Sequence, residues 1–408
     1  MRIAIVAESF LPLMNGVTHS ILRVLEHLEE RGHEVLVIAP STLDARDTAV
    51  PEAVNGALVH RLPSVPLAGY TNVRVAMGGV YRVKRILADY APDVVHLASP
   101  FVLGWRAVQA AHQLGIPTVA IYQTEVPSYA ARYGVPFLEN WAWNRVENIH
   151  LLATRTLVPS TFALNQLRGR GIPRVDMWRR GVDTARFSPG KRDDGWRATV
   201  APGGERIIGY VGRLAIEKQV EDLAALANVP NTKLVIVGDG PQRATLEEAL
   251  PNATFTGFLG GEQLARAVAS FDLFVHPGEF ETFCQTIQEA MASGVPVVAT
   301  GRGGPLDLVE NSRTGWLYQP GDLAGLRGHV MDLIGDDAKR RAFAEAAHAS
   351  VQDRTWPALS AELVRHYRSV ISGEPVVEPV HRPPVVELGP PPPGSVAEPA
   401  KLGRGWVL

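Results

Sequence analysis

Short apolar runs of strand length alternate with segments of helical periodicity along most of the chain. The first pair is RIAIVAESF followed by GVTHSILRVLEHLEERGH, and EVLVIAP begins the next pair. The same order recurs in the second half, from RIIGYVG to EKQVEDLAALANV and then TKLVIVGDGP. Strands that are apolar on both faces need helices on both sides of their sheet, so this alternation predicts parallel sheets of the doubly wound α/β class.

The chain is long enough for two domains of this kind. Its 408 residues, 46% of them hydrophobic, can bury two separate cores. Residues 183–205 (DTARFSPGKRDDGWRATVAPGGE) are rich in Gly, Pro and charge and show little periodicity, so we place the boundary there. The sequence therefore predicts one domain at 1–182, a second at 183–354, a last amphipathic helix from about Thr355 to Ile371, and a disordered proline-rich tail at 373–408.

Charge and cysteine content exclude several classes of protein. The net charge is -2, so no overall positive field attracts nucleic acid. The single cysteine, Cys284, excludes an intrachain disulfide and a cysteine-based metal site, which fits a reducing compartment. No apolar run reaches the roughly 18 residues of a membrane span, and the first apolar run is too short for a signal peptide. These features predict a cytoplasmic protein.

Candidate site residues lie in the loops that follow the strands, because ligands of doubly wound sheets bind beyond the carboxyl ends of the strands. In the first domain, Gly16 begins a helix and would let backbone amides approach an anion, although an ordinary turn also explains it. The G-x-G-x-x-G pattern of dinucleotide-binding proteins is absent there. In the second domain, Arg213 follows a strand and Lys218 begins the next segment, so both cations would face a cleft unless they form a solvated surface pair.

The stretch GEFETFCQTIQEAMASGVPVVAT places Glu281 and Glu289 eight residues apart. If a helix begins near Phe283, the two carboxylates lie roughly 12 Å apart at the helical rise per residue, which is about the length of a sugar-diphosphate-ribose unit. Carboxylates repel phosphates, so Glu281 and Glu289 would accept hydrogen bonds from the hydroxyls of a hexose and a ribose. The alternative is that Glu281 only stabilises the helix dipole and Glu289 is solvated.

The phosphates between the two sugars would then lie at the start of this helix. Its first free N–H groups would belong to Phe283, Cys284 and Gln285, and a helix N-terminus attracts anions. Arg213 and Lys218 would surround the same phosphates.

Further motifs follow one another along nearly the whole chain up to about residue 370. They are NGV, SPFVLG, VPSTFALNQL, RRGVDTARFSP, VGRLAIEK, VGDGP and GGPLDLVENSRTGWLYQPGD. Together with ETFCQTIQE, which resembles an E-x7-E motif, they make the chain similar to the retaining glycosyltransferases of glycosyltransferase family 4. YQTEVPSYAARYG, RRGVD and GGPLDLV most resemble GDP-mannose-dependent α-mannosyltransferases and their relatives that glycosylate lipids.

This resemblance implies the GT-B fold, in which two Rossmann-like doubly wound α/β domains face a central cleft and the last helix returns to the first domain, which would then comprise 1–182 and 355–372. It implies that Gly16 contacts the β-phosphate, that Arg213 and Lys218 bind the diphosphate, that Glu281 contacts the donor sugar and that Glu289 holds the ribose. It also implies transfer with retention, in which the departing phosphate accepts the acceptor's proton on the same face and no enzymic nucleophile takes part.

Two positions depart from the family's pattern. Gln123 stands where a histidine is common; glutamine can hydrogen-bond a sugar hydroxyl but cannot act as a general acid or base. Cys284 stands where glycine is usual, and we interpret it as a small side chain beside a backbone-phosphate contact rather than as a nucleophile. D-x-D is absent from the chain, so we expect no metal and no other cofactor, with Arg213 and Lys218 acting in place of Mg²⁺.

The acceptor is not identified by these motifs. The segment YTNVRVAMGGVYRVKRILADY carries Arg74, Arg82, Lys84 and Arg85, and FLENWAWNRV adds two tryptophans. Residues 1–182 also hold more basic than acidic side chains. A basic surface with aromatic residues would suit an anionic membrane and a lipid acceptor, whereas an ordinary amphipathic helix with a solvated face fits the pattern equally well.

The sequence thus predicts a retaining, metal-independent hexosyltransferase that uses GDP-mannose as donor and a glycolipid or glycan as acceptor, and that associates peripherally with the inner face of the cell membrane. A UDP-hexose donor is the nearest alternative. A non-catalytic nucleotide-sugar sensor and a nucleotide-sugar epimerase are alternatives of a different class.

Overall fold

The structure, a computed structural model, describes residues 1–41, 52–67, 70–123 and 137–375. They divide into two compact units. Among the described residues, unit 1 comprises Met1–Asp183, Glu281–Gln285 and residues 353–375, and unit 2 comprises Thr184–Phe280 and Thr286–Gln352. The predicted domain bounds stay a prediction, and most of the predicted tail, from residue 376 onward, lies outside the described residues, as does most of YQTEVPSYAARYG.

Unit 1 is built on a largely parallel sheet. Its strands are β1 (Arg2–Ala7), β2 (Glu34–Pro40), β3 (Ala53–Val54), β4 (Ala57–Leu62), β5 (Ser64–Leu67), β6 (Tyr70–Ala76), β7 (Val94–Ala98), β8 (Thr118–Ile121), β9 (Arg155–Val158) and β10 (Val175–Met177). Its helices are α1 (Gly16–Glu30), α2 (Val80–Tyr90), α3 (Leu103–Leu114), α4 (Phe137–Leu152), α5 (Thr161–Gly169) and α13 (Trp356–Ser372). The main sheet has the order β10-β9-β8-β7-β1-β2-β4-β3 and is parallel except for β3, while β5 and β6 form a separate antiparallel pair.

The apolar residues of β1 alternate between two cores, one on each face of this sheet. Ile3 and Ile5 pack into one core, and Ala4 and Val6 into the other, because successive side chains of a strand point to opposite faces. The face with Ile3 is covered by α1 and by α13, whose Tyr367 is completely buried.

Unit 2 contains a second, entirely parallel sheet. Its strands are β11 (Arg206–Val211), β12 (Thr232–Val237), β13 (Thr254–Gly257), β14 (Leu273–His276), β15 (Val297–Thr300) and β16 (Gly315–Tyr318). Its helices are α6 (Asp194–Val200), α7 (Arg243–Ala249), α8 (Gly261–Ala269), α9 (Gln285–Ala292), α10 (Pro305–Leu308), α11 (Leu323–Gly335) and α12 (Asp337–Val351). The strand order is β13-β12-β11-β14-β15-β16. The prediction of two doubly wound parallel α/β sheets is therefore confirmed.

Two predicted helices differ in the structure. The segment after β11 forms two 3₁₀ helices, Ile216–Lys218 and Val220–Leu226, because Gln219 between them adopts a left-handed conformation with φ 51°. The helix expected from Phe283 begins instead at Gln285, because Cys284 has φ 80° and cannot belong to a right-handed helix. The boundary segment 183–205 is also more regular than predicted, since it contains the short helix α6.

Candidate functional site

Gly16 lies at the N-terminus of α1, directly after the loop that follows β1. The Asn15 side chain caps this helix, and its Oδ1 accepts hydrogen bonds from the backbone N–H groups of Val17 (3.0 Å) and Thr18 (2.9 Å). A Cβ atom added to Gly16 would lie 3.3 Å from Nη1 of Arg180. The start of α1 is therefore close to a guanidinium group that follows β10, about 160 residues further along the chain.

Gln123 follows β8 and is 8% exposed. Its Oε1 accepts a hydrogen bond from Nη2 of Arg180, which leaves the two N–H bonds of its amide available for other partners. Burial lowers the pKa of the Arg180 guanidinium to about 10, and the Glu281 carboxylate acts in the opposite direction. Arg180 thus lies beside Gly16, donates to Gln123 and interacts electrostatically with Glu281. All three were predicted from the sequence as candidate site residues.

The segment Glu281–Gln285 packs within unit 1, between the loop after β8 and the loop after β10. The Thr282 hydroxyl donates to the backbone oxygen of Gln123 (3.0 Å), and the Gln285 Nε2 donates to the backbone oxygen of Gly181 (3.0 Å). Gly181 must be a glycine, because a Cβ atom there would lie 2.5 Å from the backbone nitrogen of Trp356. Phe283 is buried. These contacts fix the position of the segment that leads into α9.

Cys284 occupies a backbone conformation that favours glycine. Its φ of 80° lies in the left-handed region, which costs a non-glycine residue about 1 to 2 kcal/mol. This explains why glycine is usual at the matching position of the family that the sequence resembles. The side chain is 5% exposed, which agrees with a small packing residue better than with an accessible nucleophile.

Arg180 is the main site residue that the sequence reasoning missed. It comes three residues after β10, a strand of only three residues, Val175–Met177. An arginine just beyond the carboxyl end of a buried strand is the signal that pointed to Arg213. The motif RRGVD was noticed in the sequence. The strand that precedes it, β10, has only three residues, which is too few to be recognised from an apolar pattern.

Arg213 and Lys218 lie together in the loop after β11, in unit 2. The Arg213 side chain is 58% exposed, and its Nη1 is 3.8 Å from Oε1 of Glu217, a buried carboxylate. The neighbouring Gln219 donates from Nε2 to Oε1 of Glu279 (3.0 Å), and its own Oε1 accepts the backbone N–H of Glu279 (2.9 Å). These contacts hold the loop against the segment after β14 and so restrict where both cations can lie.

Glu289 is in the second turn of α9 and is only 9% exposed. The alternative interpretation, that Glu289 is simply solvated, is therefore wrong, because its side chain is buried.

Another carboxylate, Glu8, fixes a loop of unit 1. Its oxygens accept backbone N–H bonds from Phe101 (2.7 Å), Gly104 (2.9 Å) and Leu103 (3.1 Å). Burial raises the pKa of Glu8, although these N–H bonds act against the shift. The contacts explain the spacing of the SPFVLG motif, since its backbone wraps around one carboxylate.

The proposed membrane-facing surface is smaller than the sequence indicated. Arg74 does not belong to it, because its Nε donates to the Ser64 hydroxyl (2.8 Å). Trp143 is buried against Tyr122, with the Arg170 guanidinium 3.7 Å from its ring centre. Trp141, Tyr81 (80% exposed), Arg82 and Arg85 are exposed. Lys84 is half-buried, and its Nζ donates to Oε1 of Gln113 (3.1 Å). Within the described residues, no helix is both long and apolar enough to span a bilayer.

Two family profiles match the chain. The profile described as Glycosyltransferase Family 4 matches residues 14–186, and the one described as Glycosyl transferases group 1 matches residues 193–350. A GDP-mannose-dependent alpha-mannosyltransferase of Mycolicibacterium smegmatis is 50% identical over 91% of this chain and 98% of its own length. A protein of the same description from Mycobacterium tuberculosis is 48% identical over 91% of this chain and 97% of its own.

A solved structure supports the fold. Sucrose-phosphate synthase from Thermosynechococcus elongatus superposes with a TM-score of 0.77 at 22% identity, covering 91% of this chain and all of that one. At this identity the likeness concerns the fold alone, and it is the GT-B fold that the motifs implied.

Proposed function

We propose that this chain, which belongs to glycosyltransferase family 4 and is a glycosyltransferase with the GT-B fold, transfers mannose from GDP-mannose to a lipid or glycan acceptor with retention of the anomeric configuration. The observation that carries the proposal is the identity of about half of all residues, over nearly the full length, to two proteins described as GDP-mannose-dependent alpha-mannosyltransferases. The arrangement of acids, amides and cations in the sequence agrees with it.

We assign the donor's diphosphate to Arg213 and Lys218. Negative charge builds on the β-phosphate as the glycosidic bond breaks, and fixed cations stabilise that charge more than they stabilise the bound donor. The departing phosphate then takes the acceptor's proton on the same face, so that the chain supplies no nucleophile and no metal ion. The backbone N–H groups of Phe283, Cys284 and Gln285 are the further phosphate contacts in this proposal, with those nearest the start of α9 best placed.

We assign the two sugars of the donor to Glu281 and Glu289. Glu281 accepts hydrogen bonds from the hydroxyls of the transferred hexose, and Glu289 from those of the ribose. Gln123 donates to a sugar oxygen, because its own amide oxygen is already bonded to Arg180. Gly16 lets the start of α1 approach the β-phosphate.

A panel of nucleotides tests the donor. GDP is expected to raise the melting temperature of the protein, because a ligand at a hundred times its Kd stabilises the folded state by about 2.7 kcal/mol. UDP and ADP are expected to have little effect, because a site for GDP-mannose should bind them weakly. Excess EDTA should leave the GDP effect unchanged. A shift with UDP alone would replace GDP-mannose by a UDP-hexose, and release of free GDP that does not depend on an acceptor would favour a sensor or an epimerase over transfer.

We further propose that α2 places the protein on an anionic membrane surface, at the inner face of the cell membrane. Each basic residue near such a surface contributes about 1 kcal/mol. Replacing Arg82, Lys84 and Arg85 together with glutamine is therefore expected to weaken binding to anionic vesicles about a hundredfold. The measurement is vesicle co-sedimentation of the parent and the triple variant.

Neutral vesicles and high salt serve as controls, since both remove the electrostatic attraction. The triple variant should keep the melting temperature of the parent, because these side chains lie on the surface of α2. Equal binding of parent and variant to anionic vesicles, or failure of the parent to bind them, would contradict the proposed membrane surface.

A further inference from the structure

Arg180 brings a positive charge into unit 1, and the function proposed above assigns it no substrate. Its Nη2 donates to the uncharged Oε1 of Gln123. Its Nη1 lies beside Gly16, 3.3 Å from where a Cβ atom would stand. Its Nε is buried and has no hydrogen-bond partner in the part of the chain that the structure describes. A buried N–H group of a cation without a partner is costly, and a substrate oxygen is one way to satisfy it.

This guanidinium lies beside the N-terminus of a helix. Gly16 is the first residue of α1, and the N-terminus of a helix carries a partial positive charge. The capping oxygen of Asn15 accepts the N–H groups of Val17 and Thr18, not that of Gly16. Glu281 provides negative charge nearby, while burial removes the guanidinium from water and lowers its pKa to about 10. An anion bound between Gly16 and Arg180 would be attracted by both the helix N-terminus and the guanidinium.

We propose that Arg180 and the backbone N–H of Gly16 together bind a phosphate-type anion of a substrate, and that this anion is the donor phosphate bonded to the sugar. The assignment to the donor rests on the proposed function. It is favoured over an anionic group of the acceptor because Gln123 contacts this guanidinium and the Glu281 carboxylate is close enough to interact with it electrostatically. A carboxylate and an amide suit sugar hydroxyls, so the group beside them should be the phosphate attached to that sugar.

Calorimetric titration with GDP and GMP tests this inference, since only GDP has the second phosphate. Arg180→Gln is expected to weaken GDP binding at least tenfold and to change GMP binding less than twofold. Arg180→Lys should fall between the parent and Arg180→Gln, because an ammonium keeps the charge but not the planar fork. Arg179→Gln, which removes the neighbouring arginine, is the matched control and should leave both affinities within twofold of the parent.

The two sources of the anion give different results. In one outcome, Arg180→Gln binds GDP as tightly as the parent, but its KM rises at least tenfold for a phosphate-bearing acceptor and not for a neutral one. This result would assign the anion to the acceptor instead of the donor. Equal losses of GDP and GMP binding, or no loss in any of these measurements, would overturn the inference. The same follows if Arg179→Gln has the same effect as Arg180→Gln.

The folding of the variants and the proposed function are checked separately. If Arg180→Gln does not fold, Arg180→Lys carries the test, with an expected loss of at least threefold for GDP alone. A parent protein that binds UDP but not GDP would contradict the proposed donor, and the pair UDP and UMP would then test Arg180 in the same way.

Discussion

Arg213→Ala is expected to lower the turnover number about a hundredfold to a thousandfold while raising the Kd of GDP much less. A fixed cation that stabilises charge developing in the transition state is worth about 2.7 to 4 kcal/mol to the rate, and its effect on the bound donor is smaller. Lys218→Ala should show the same pattern. Single-turnover transfer from GDP-mannose, measured in excess EDTA, checks the expectation for the parent and both variants.

Arg213→Lys is the matched variant in this experiment. It is expected to recover only part of the activity, because an ammonium cannot bind two phosphate oxygens as the planar guanidinium can. The parent should lose no activity in EDTA, since in the proposed mechanism the two cations act in place of a metal. Loss of the parent's activity in EDTA would contradict metal independence, and full activity of both alanine variants would remove Arg213 and Lys218 from the mechanism.

Glu281→Ala and Glu289→Ala are expected to have different kinetic profiles. Glu289→Ala should weaken the binding of GDP-mannose and of free GDP alike, by about tenfold to a hundredfold, because both ligands contain the ribose and a hydrogen bond to a charged group is worth about 1.5 to 3 kcal/mol. Glu281→Ala should lower turnover by a similar factor and leave the affinity for GDP nearly unchanged, because GDP lacks the hexose. Titration with GDP and steady-state kinetics separate the two.

Glu281→Gln and Glu289→Gln are the controls, since they keep the size of each side chain and remove only its charge. The melting temperature of each variant shows whether a loss reflects folding, which matters most for the buried Glu289. If the two alanine variants lose GDP affinity to the same extent, the assignment of Glu281 to the hexose and of Glu289 to the ribose is wrong.

The sequence was sufficient to predict features that depend on neighbouring residues. The apolar runs that became β1, β2, β11 and β12 are short and buried on both faces, a local pattern that needs no tertiary information. The last helix was also predicted closely, because Leu359, Leu363 and Tyr367 recur with helical spacing and Thr355 caps its first turn. The family could be identified from the sequence as well, since its motifs are short stretches in a constant order.

The two incorrect helix predictions have a common cause. Gln219 and Cys284 both adopt left-handed backbone conformations, which neither residue type signals in a sequence. Gln219 is held there by Glu279, which lies 60 residues further along the chain. The segment of Cys284 is held by the bond from Thr282 to Gln123, across 159 residues. Contacts at such separations can outweigh local helix propensity, and a reading of neighbouring residues does not detect them.

Arg180 illustrates most clearly why part of the site could be found only from the tertiary structure. In the sequence it is one of two consecutive arginines in RRGVD, and nothing nearby distinguishes it from Arg179. Its neighbours in space are Gly16, Gln123 and Glu281, which come from three distant parts of the chain. The burial of a charge and the partners of its hydrogen bonds depend on how the strands are ordered in the sheet. The environment of this guanidinium therefore forms only when β8 and β10 pair with β9 on its two sides.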